Sequence, residues 1–223
     1  MTHILNELYK NSNSLDILKS VNNQITEFDK TARICHNFTS ILYDIRTLLG
    51  EEEKTYVEIG TMSGASAGLV LHNKYKTNVF CVDPCIGVIK NKYTKINNNL
   101  KHVNCHGNKI HVFRNYSQDN ELLKQLKDEN FKIDMLFIDG DHAYNAVIRD
   151  FNNYKDFVNR QGYIIFDDYH DREFCPDVKK AVDFVVKNLD PNEFEVIGAL
   201  ENYHNISDKQ KFPYINEFIL YKK

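Results

Sequence analysis

What most constrains this chain is a rhythm in which short apolar runs alternate with stretches of helical spacing. TYVEIG, NVFCVD, KIHVFRN, DMLFID and GYIIFDD recur along residues 55–168. Each is apolar over most of its length rather than on alternate positions. Strands of that kind must be covered on both faces, so they predict a parallel sheet between two layers of helix. Between them, apolar residues recur at threes and fours: Ala67, Leu69, Val70 and Leu71; residues 119–129; Val147, Phe151, Tyr154 and Phe157 within 143–159; and Val178, Ala181, Val182 and Val185 within 177–189. FEVIGAL and EFILYKK then follow one another with no helix between them, only a polar linker over 201–215 containing Pro213. That break predicts an antiparallel edge and brings the strand count to seven.

Ahead of the first strand, residues 13–49 read as two helices, one carrying Leu15, Ile17, Leu18, Val21 and Ile25, the other Ile34, Phe38, Ile41, Leu42, Ile45 and Leu48, with Gly50 as the stop. Residues 88–107, rich in Lys and Asn, read as helical or irregular. A chain of 223 residues suits one such α/β domain with an extension. The division expected is residues 1–50 as a helical extension or lid and 51–223 as the sheet domain.

A formal charge of -3 gives no general attraction to nucleic acid or to an anionic membrane. No apolar run is long enough to span a bilayer, and the first residues lack the layout of a secretory signal. Five irregularly spaced cysteines fit reduced thiols in the cytoplasm better than a disulfide framework or a zinc motif.

Three constellations carry chemistry. In VEIGTMSGAS, residues 57–66, a strand turns into a helix through Gly60 and Gly64, which let the backbone turn sharply and a ligand approach the main chain. In doubly wound sheets ligands bind outside the carboxyl ends of the strands, where this turn sits. A dinucleotide site would want G-x-G-x-x-G, but Met62 and Ala65 stand at the second and third glycine positions. A nicotinamide cofactor is therefore disfavoured, and the acid Glu58 suits a cationic ligand better than a phosphate. Asp83 closes the next strand, where a carboxylate can accept from both ribose hydroxyls or simply cap a helix. Finally, Asp139, Asp141 and His142 follow one strand and Asp167 and Asp168 another. Carboxylates converging on one rim repel unless something neutralises them, and a hard cation such as Mg²⁺ does so most simply. The alternative is that they cap helices or face solvent. His170 also flanks the acids, Asp150 reads as a structural hydrogen-bonder, and His102, His106 and His111 read as solvent-exposed.

As a set, these residues resemble the metal-dependent O-methyltransferases of the Rossmann-like class I fold, over about Tyr56 to Val186. The likeness is to the catechol branch and, more closely, to the macrocin-type branch that acts on sugar hydroxyls. The resemblance implies a mostly parallel seven-stranded sheet with an antiparallel edge strand, S-adenosylmethionine as methyl donor and Mg²⁺ or another divalent cation. Glu58, Gly60, Thr61, Ser66, Asp83, Ser117, Gln118 and Asp139 would then contact the cofactor. Asp139, Asp167 and Asp168 would hold the metal, and Asp141, helped by His142, would take the acceptor's proton. In the catechol branch the base is a lysine three residues after the first metal ligand; that place is His142 here, which points toward an aliphatic, sugar-like hydroxyl. The implied partner is a small-molecule acceptor, with a homodimer left open. Three alternatives stand beside this reading: transfer without a metal, with His142 or His170 as base; a non-catalytic binding module on the same fold; and, last, a nicotinamide oxidoreductase.

Overall fold

In a computed structural model, which describes residues 1–87, 90–204 and 213–223, the alternation becomes one twisted sheet. The strands are β1 (Lys54–Ile59), β2 (Thr77–Val82), β3 (Ile110–Phe113), β4 (Ile133–Ile138), β5 (Val158–Phe166), β6 (Phe194–Gly198) and β7 (Phe218–Lys222). Their order across the sheet is β3-β2-β1-β4-β5-β7-β6. The first five are parallel, and β7 runs antiparallel to both neighbours. The antiparallel edge read from the last two strands is thus a pair, with β7 inserted between β5 and β6. Chain order reverses between β1 and β4, the switch point at which such sheets leave a crevice for a ligand.

The helices are α1 (Thr2–Asn11), α2 (Ser14–Phe28), α3 (Ile41–Leu48), α4 (Ala65–Leu71), α5 (Lys92–Val103), α6 (Asn120–Asp128), α7 (Tyr144–Tyr154) and α8 (Pro176–Lys187). Strand side chains alternate between the two faces. On one face Tyr56, Val79, Met135, Phe137, Ile165 and Ile219 join a core with Leu5, Leu18, Ile41 and Leu42 of the N-terminal helices. On the other, Val57, Ile59, Leu136, Ile164 and Leu220 pack against Leu122, Val147, Phe151 and Val182. Residues 1–50 therefore share a core with the sheet rather than forming one of their own.

Three boundaries differ from the sequence reading. Residues 2–11 are helical, with Leu5 and Tyr9 in the core; Ile4, Leu5, Leu8 and Tyr9 have helical spacing, but over a run of only ten residues. The second expected N-terminal helix begins late: residues 29–36 are irregular, residues 37–40 form a 3-10 turn, and the α-helix starts at Ile41. Asp29 Oδ1 accepts from Thr31 N at 3.0 Å, a local turn that competes with helix. The helix expected over 143–159 stops at Tyr154, and β5 already begins at Val158 through a bulge opposite Ile133–Met135. Gly162 fits that bulge because a Cβ there would lie 2.9 Å from the Asp134 carbonyl oxygen. Within 201–215, Glu201 bridges Tyr214; residues 205–212 of that linker, and residues 88 and 89 of the 88–107 stretch, lie outside the described residues.

Candidate active site

The carboxyl ends of β1 and β4 meet at Gly60, where φ is +86° and a Cβ would come within 2.0 Å of the Asp139 carbonyl oxygen. Only glycine satisfies both conditions. The approach is fixed by Gly60 N donating to Val82 O at 3.0 Å and Asp139 N to Ile59 O at 2.9 Å. Gly64, also at positive φ, then starts α4.

Two clefts open on this rim. The larger, about 370 Å³, runs over Gly60 and Asp83 to Ser117, Gln118 and Asp141. The smaller, about 180 Å³, lies between residues 33–39 of the N-terminal segment and Ser66, Asp167 and Asp168. Met62 and Asp139 line both. Apart from Glu58 and Thr61, which line neither, the expected residues separate into two groups that adjoin at Asp139.

In the large cleft, Asp83 is almost wholly buried, and both its oxygens accept hydrogen bonds. Its Oδ1 accepts from Cys85 N at 2.6 Å; its Oδ2 accepts from Thr61 N at 2.9 Å and from Lys92 Nζ at 2.6 Å. Lys92, at the start of α5, escaped the sequence reading because it lies in the stretch where periodicity was unreadable. Thr61 acts here through its backbone; its side chain is buried, with Oγ1 unpartnered. Ser117 Oγ donates to Asp150 Oδ1 at 2.5 Å, so Asp150 is the hydrogen-bonder expected; burial pushes its carboxyl up to about 6, against the Ser117 bond that lowers it.

Glu58 is fully buried and lines neither cleft. Tyr56 Oη donates to its Oε2 at 2.6 Å, while Oε1 has no partner. Burial pushes its carboxyl up to about 7.

At the junction, one carboxylate oxygen from each of Asp139, Asp167 and Asp168 falls within 4.8 Å of the others. Desolvation, followed by Asp168 against the opposing His142 bond, raises Asp139 to about 6. Desolvation and then Asp139 hold Asp167 well above the usual carboxylate range. Asp168 adopts φ +57°, and its N–H donates to Asp167 Oδ1 at 2.8 Å. His142 Nε2 stands 3.3 Å from Asp139 Oδ1 and 3.5 Å from Asp168 Oδ2. The Asp139 bond, first of all, raises the His142 pKa.

The structure does not bring Asp141 into this trio. Asp141 is exposed, and its Oδ1 accepts from Ala143 N at 3.0 Å ahead of α7. His170 stands apart, its ring edge-on to Tyr169. His102, His106 and His111 are exposed, as expected.

Two further groups were missed. Glu217 is fully buried, with neither carboxylate oxygen partnered. Burial and then the Asp168 and Asp139 charges raise it to about 8. Its signal was present: β7 runs antiparallel, so an acid at its start arrives on the rim where the parallel strands end. Cys175 precedes α8 and places Sγ 3.0 Å from His142 Nδ1.

Comparisons with known proteins bear on the family and the fold. The family described as a methyltransferase domain matches residues 57–169. An uncharacterised protein of Acanthamoeba polyphaga mimivirus is 38% identical over 175 residues, 76% of this chain and 78% of its own length. Among solved structures, an O-methyltransferase from Bacillus cereus in complex with SAH superposes with a TM-score of 0.63 at 15% identity, covering 95% of this chain and 91% of that one. TomG, an O-methyltransferase from Streptomyces achromogenes in complex with SAM, gives 0.60 at 12% identity, covering 93% and 89%. At such identities the likeness is one of fold. No described helix is long and apolar enough to cross a membrane.

Proposed function

Because the chain belongs to the methyltransferase-domain family, we propose that it transfers a methyl group from S-adenosylmethionine to a hydroxyl of a small molecule, with a divalent cation such as Mg²⁺ at Asp139, Asp167 and Asp168. The observation that carries this reading is the meeting of two clefts at Asp139. One is long and lined by a ribose-type acid; the other is small and acid-floored.

In this reading the large cleft takes the adenosine of the donor, with Asp83 facing the ribose and Ser117 and Gln118 the base. Ser66 lies on the smaller cleft, beside the amino-acid end of the donor. Gly60 leaves room for its cationic part. The donor supplies an electrophilic methyl. The three aspartates fit a hard cation, because desolvated carboxylates this close need neutralising; bound there, it would lower the acceptor hydroxyl's pKa and orient it.

The remaining work falls to the chain. Of the two candidate bases, His142 Nε2 faces the trio and is assigned the acceptor's proton, with Asp141, held by Ala143 N, the weaker candidate. Residues 33–39 wall the small cleft and exclude water as a lid formed from the N-terminal extension. The acceptor is assigned as a small, sugar-like alcohol, the chemistry that a histidine and acids without a lysine base would serve.

The test is Asp168→Ala. It should abolish methyl transfer while S-adenosylhomocysteine affinity by calorimetry stays within about twofold; chelation should also stop turnover, and Mg²⁺ restore it. Activity that survives chelation would favour the metal-free alternative with His142 as base. No affinity for S-adenosylhomocysteine in the wild-type protein would sink the reading.

A further inference from the structure

We propose that Cys175, His142 and Asp168 form a second cation site, one selective for a thiophilic divalent ion of the zinc type. This goes beyond the methyl-transfer reading, with which it shares only Asp168 as a ligand. One ligand atom from each of the three residues lies within 4.8 Å of the others. Cys175 Sγ is 3.0 Å from His142 Nδ1 and 3.2 Å from Asp168 Oδ2. A tetrahedral zinc ion, with bonds of about 2.0–2.3 Å, needs ligand-to-ligand edges of roughly 3.3–3.6 Å. The two edges from sulfur need only lengthen slightly to accept it.

Two features set this cluster apart from the neighbouring acids. Its donor set mixes thiol, imidazole and carboxylate, which select zinc-like ions, whereas the all-oxygen trio suits Mg²⁺. Cys175 also occupies the N-cap position of α8, yet its side chain makes no capping bond. The sulfur is instead turned toward His142 and Asp168, in a residue only 6% exposed. With Nδ1 as ligand, Nε2–H points at Asp139 Oδ1, 3.3 Å away. A carboxylate behind a ligating histidine is the usual second support of a zinc site. Binding displaces the thiol proton to solvent and leaves a fourth position open.

Occupancy has a consequence. It takes Asp168 from the oxygen site and fixes His142 in the tautomer that cannot accept a proton at Nε2. A zinc-type ion would therefore inhibit methyl transfer rather than support it.

Cobalt titration of the metal-free protein reads this directly. The wild type should develop a sulfur-to-cobalt charge-transfer band that saturates at one ion per chain. Cys175→Ser and His142→Asn should lose the band, with far-UV circular dichroism confirming the fold. Asp167→Asn should keep it while losing Mn²⁺ binding by electron paramagnetic resonance. No band in the wild type overturns the proposal. So does a band that survives Cys175→Ser but disappears in Cys105→Ser, since Cys105 Sγ also stands near a histidine, 3.7 Å from His72 Nδ1. A band kept by Asp167→Asn with Mn²⁺ binding unchanged supports this site and counts against the oxygen site alone, so the two readings fail separately.

Discussion

At the scale of single residues, the rim between β1 and β4 allows almost no substitution. Gly60→Ala would place a methyl group 2.0 Å from backbone that cannot move aside, in a conformation that costs a side chain about 1–2 kcal/mol before any clash. The variant is expected to unfold at least about 10 °C lower in a thermal melt, and an unchanged melt would refute the close approach. Asp83→Asn keeps an acceptor for only one of Thr61 N and Cys85 N, which donate to different oxygens, and loses the charge that Lys92 neutralises. S-adenosylhomocysteine affinity by calorimetry should fall roughly tenfold, ~1.4 kcal/mol. Asp83 and the paired acids were legible because each closes an apolar strand, whereas Ser117 entered only through the family resemblance. Lys92 and Cys175 were not: their contacts depend on where α5 and α8 begin, which no local pattern specifies. Asp141 shows the converse. Its place in the motif suggested a base, but a carboxylate two residues ahead of a backbone N–H forms a local turn more readily than a long-range contact.

Elements were legible where packing is periodic, as for α7, α8 and the parallel strands, and obscure where one or two contacts hold them. The tie between α3 and the sheet is of the second kind. Arg46 is fully buried; its Nε donates to Thr77 Oγ1 at 2.6 Å, and its two terminal nitrogens bond the carbonyls of Gly50, Glu52 and Lys76 at 2.8–2.9 Å. Burial lowers its pKa to about 10, so it remains charged. One side chain thus closes the backbone at the amino ends of β1 and β2, which helical periodicity in residues 34–48 could not disclose. Arg46→Met fills much of the volume but strands those acceptors. Stability by urea denaturation should fall by roughly 3 kcal/mol or more. The site lies at the opposite ends of the strands, so S-adenosylhomocysteine affinity of the folded variant should be unchanged.

Across the whole molecule, buried carboxyls gather on the face covered by the N-terminal helices, with Asp150 of α7 on the other face. Glu58 follows Tyr56 on that face, and Glu217 lies between Ile215 and Ile219, all three of these flanking residues being members of its core. Asp44 joins α3 to the α1–α2 junction through Ser12 Oγ and Ser14 Oγ, at 3.1 and 2.8 Å. Burial raises Asp44 to about 7 even though both serine bonds lower it. The group is remote from the catalytic rim, so its titration reports folding alone. An acid whose folded pKa exceeds its unfolded value binds its proton more tightly when folded. Its contribution is full below the unfolded pKa, about 3.9, and is lost as pH rises through about 7. The protein should therefore melt at a lower temperature at pH 8 than at pH 6. Asp44→Asn keeps an acceptor for both serines and removes the charge, and it should flatten that slope. At pH 8 it should be the more stable protein, by on the order of 1–3 kcal/mol. If its melting curve keeps the wild-type dependence on pH, the dependence belongs to the carboxyls at the site, and the N-terminal helices hold equally well at either pH.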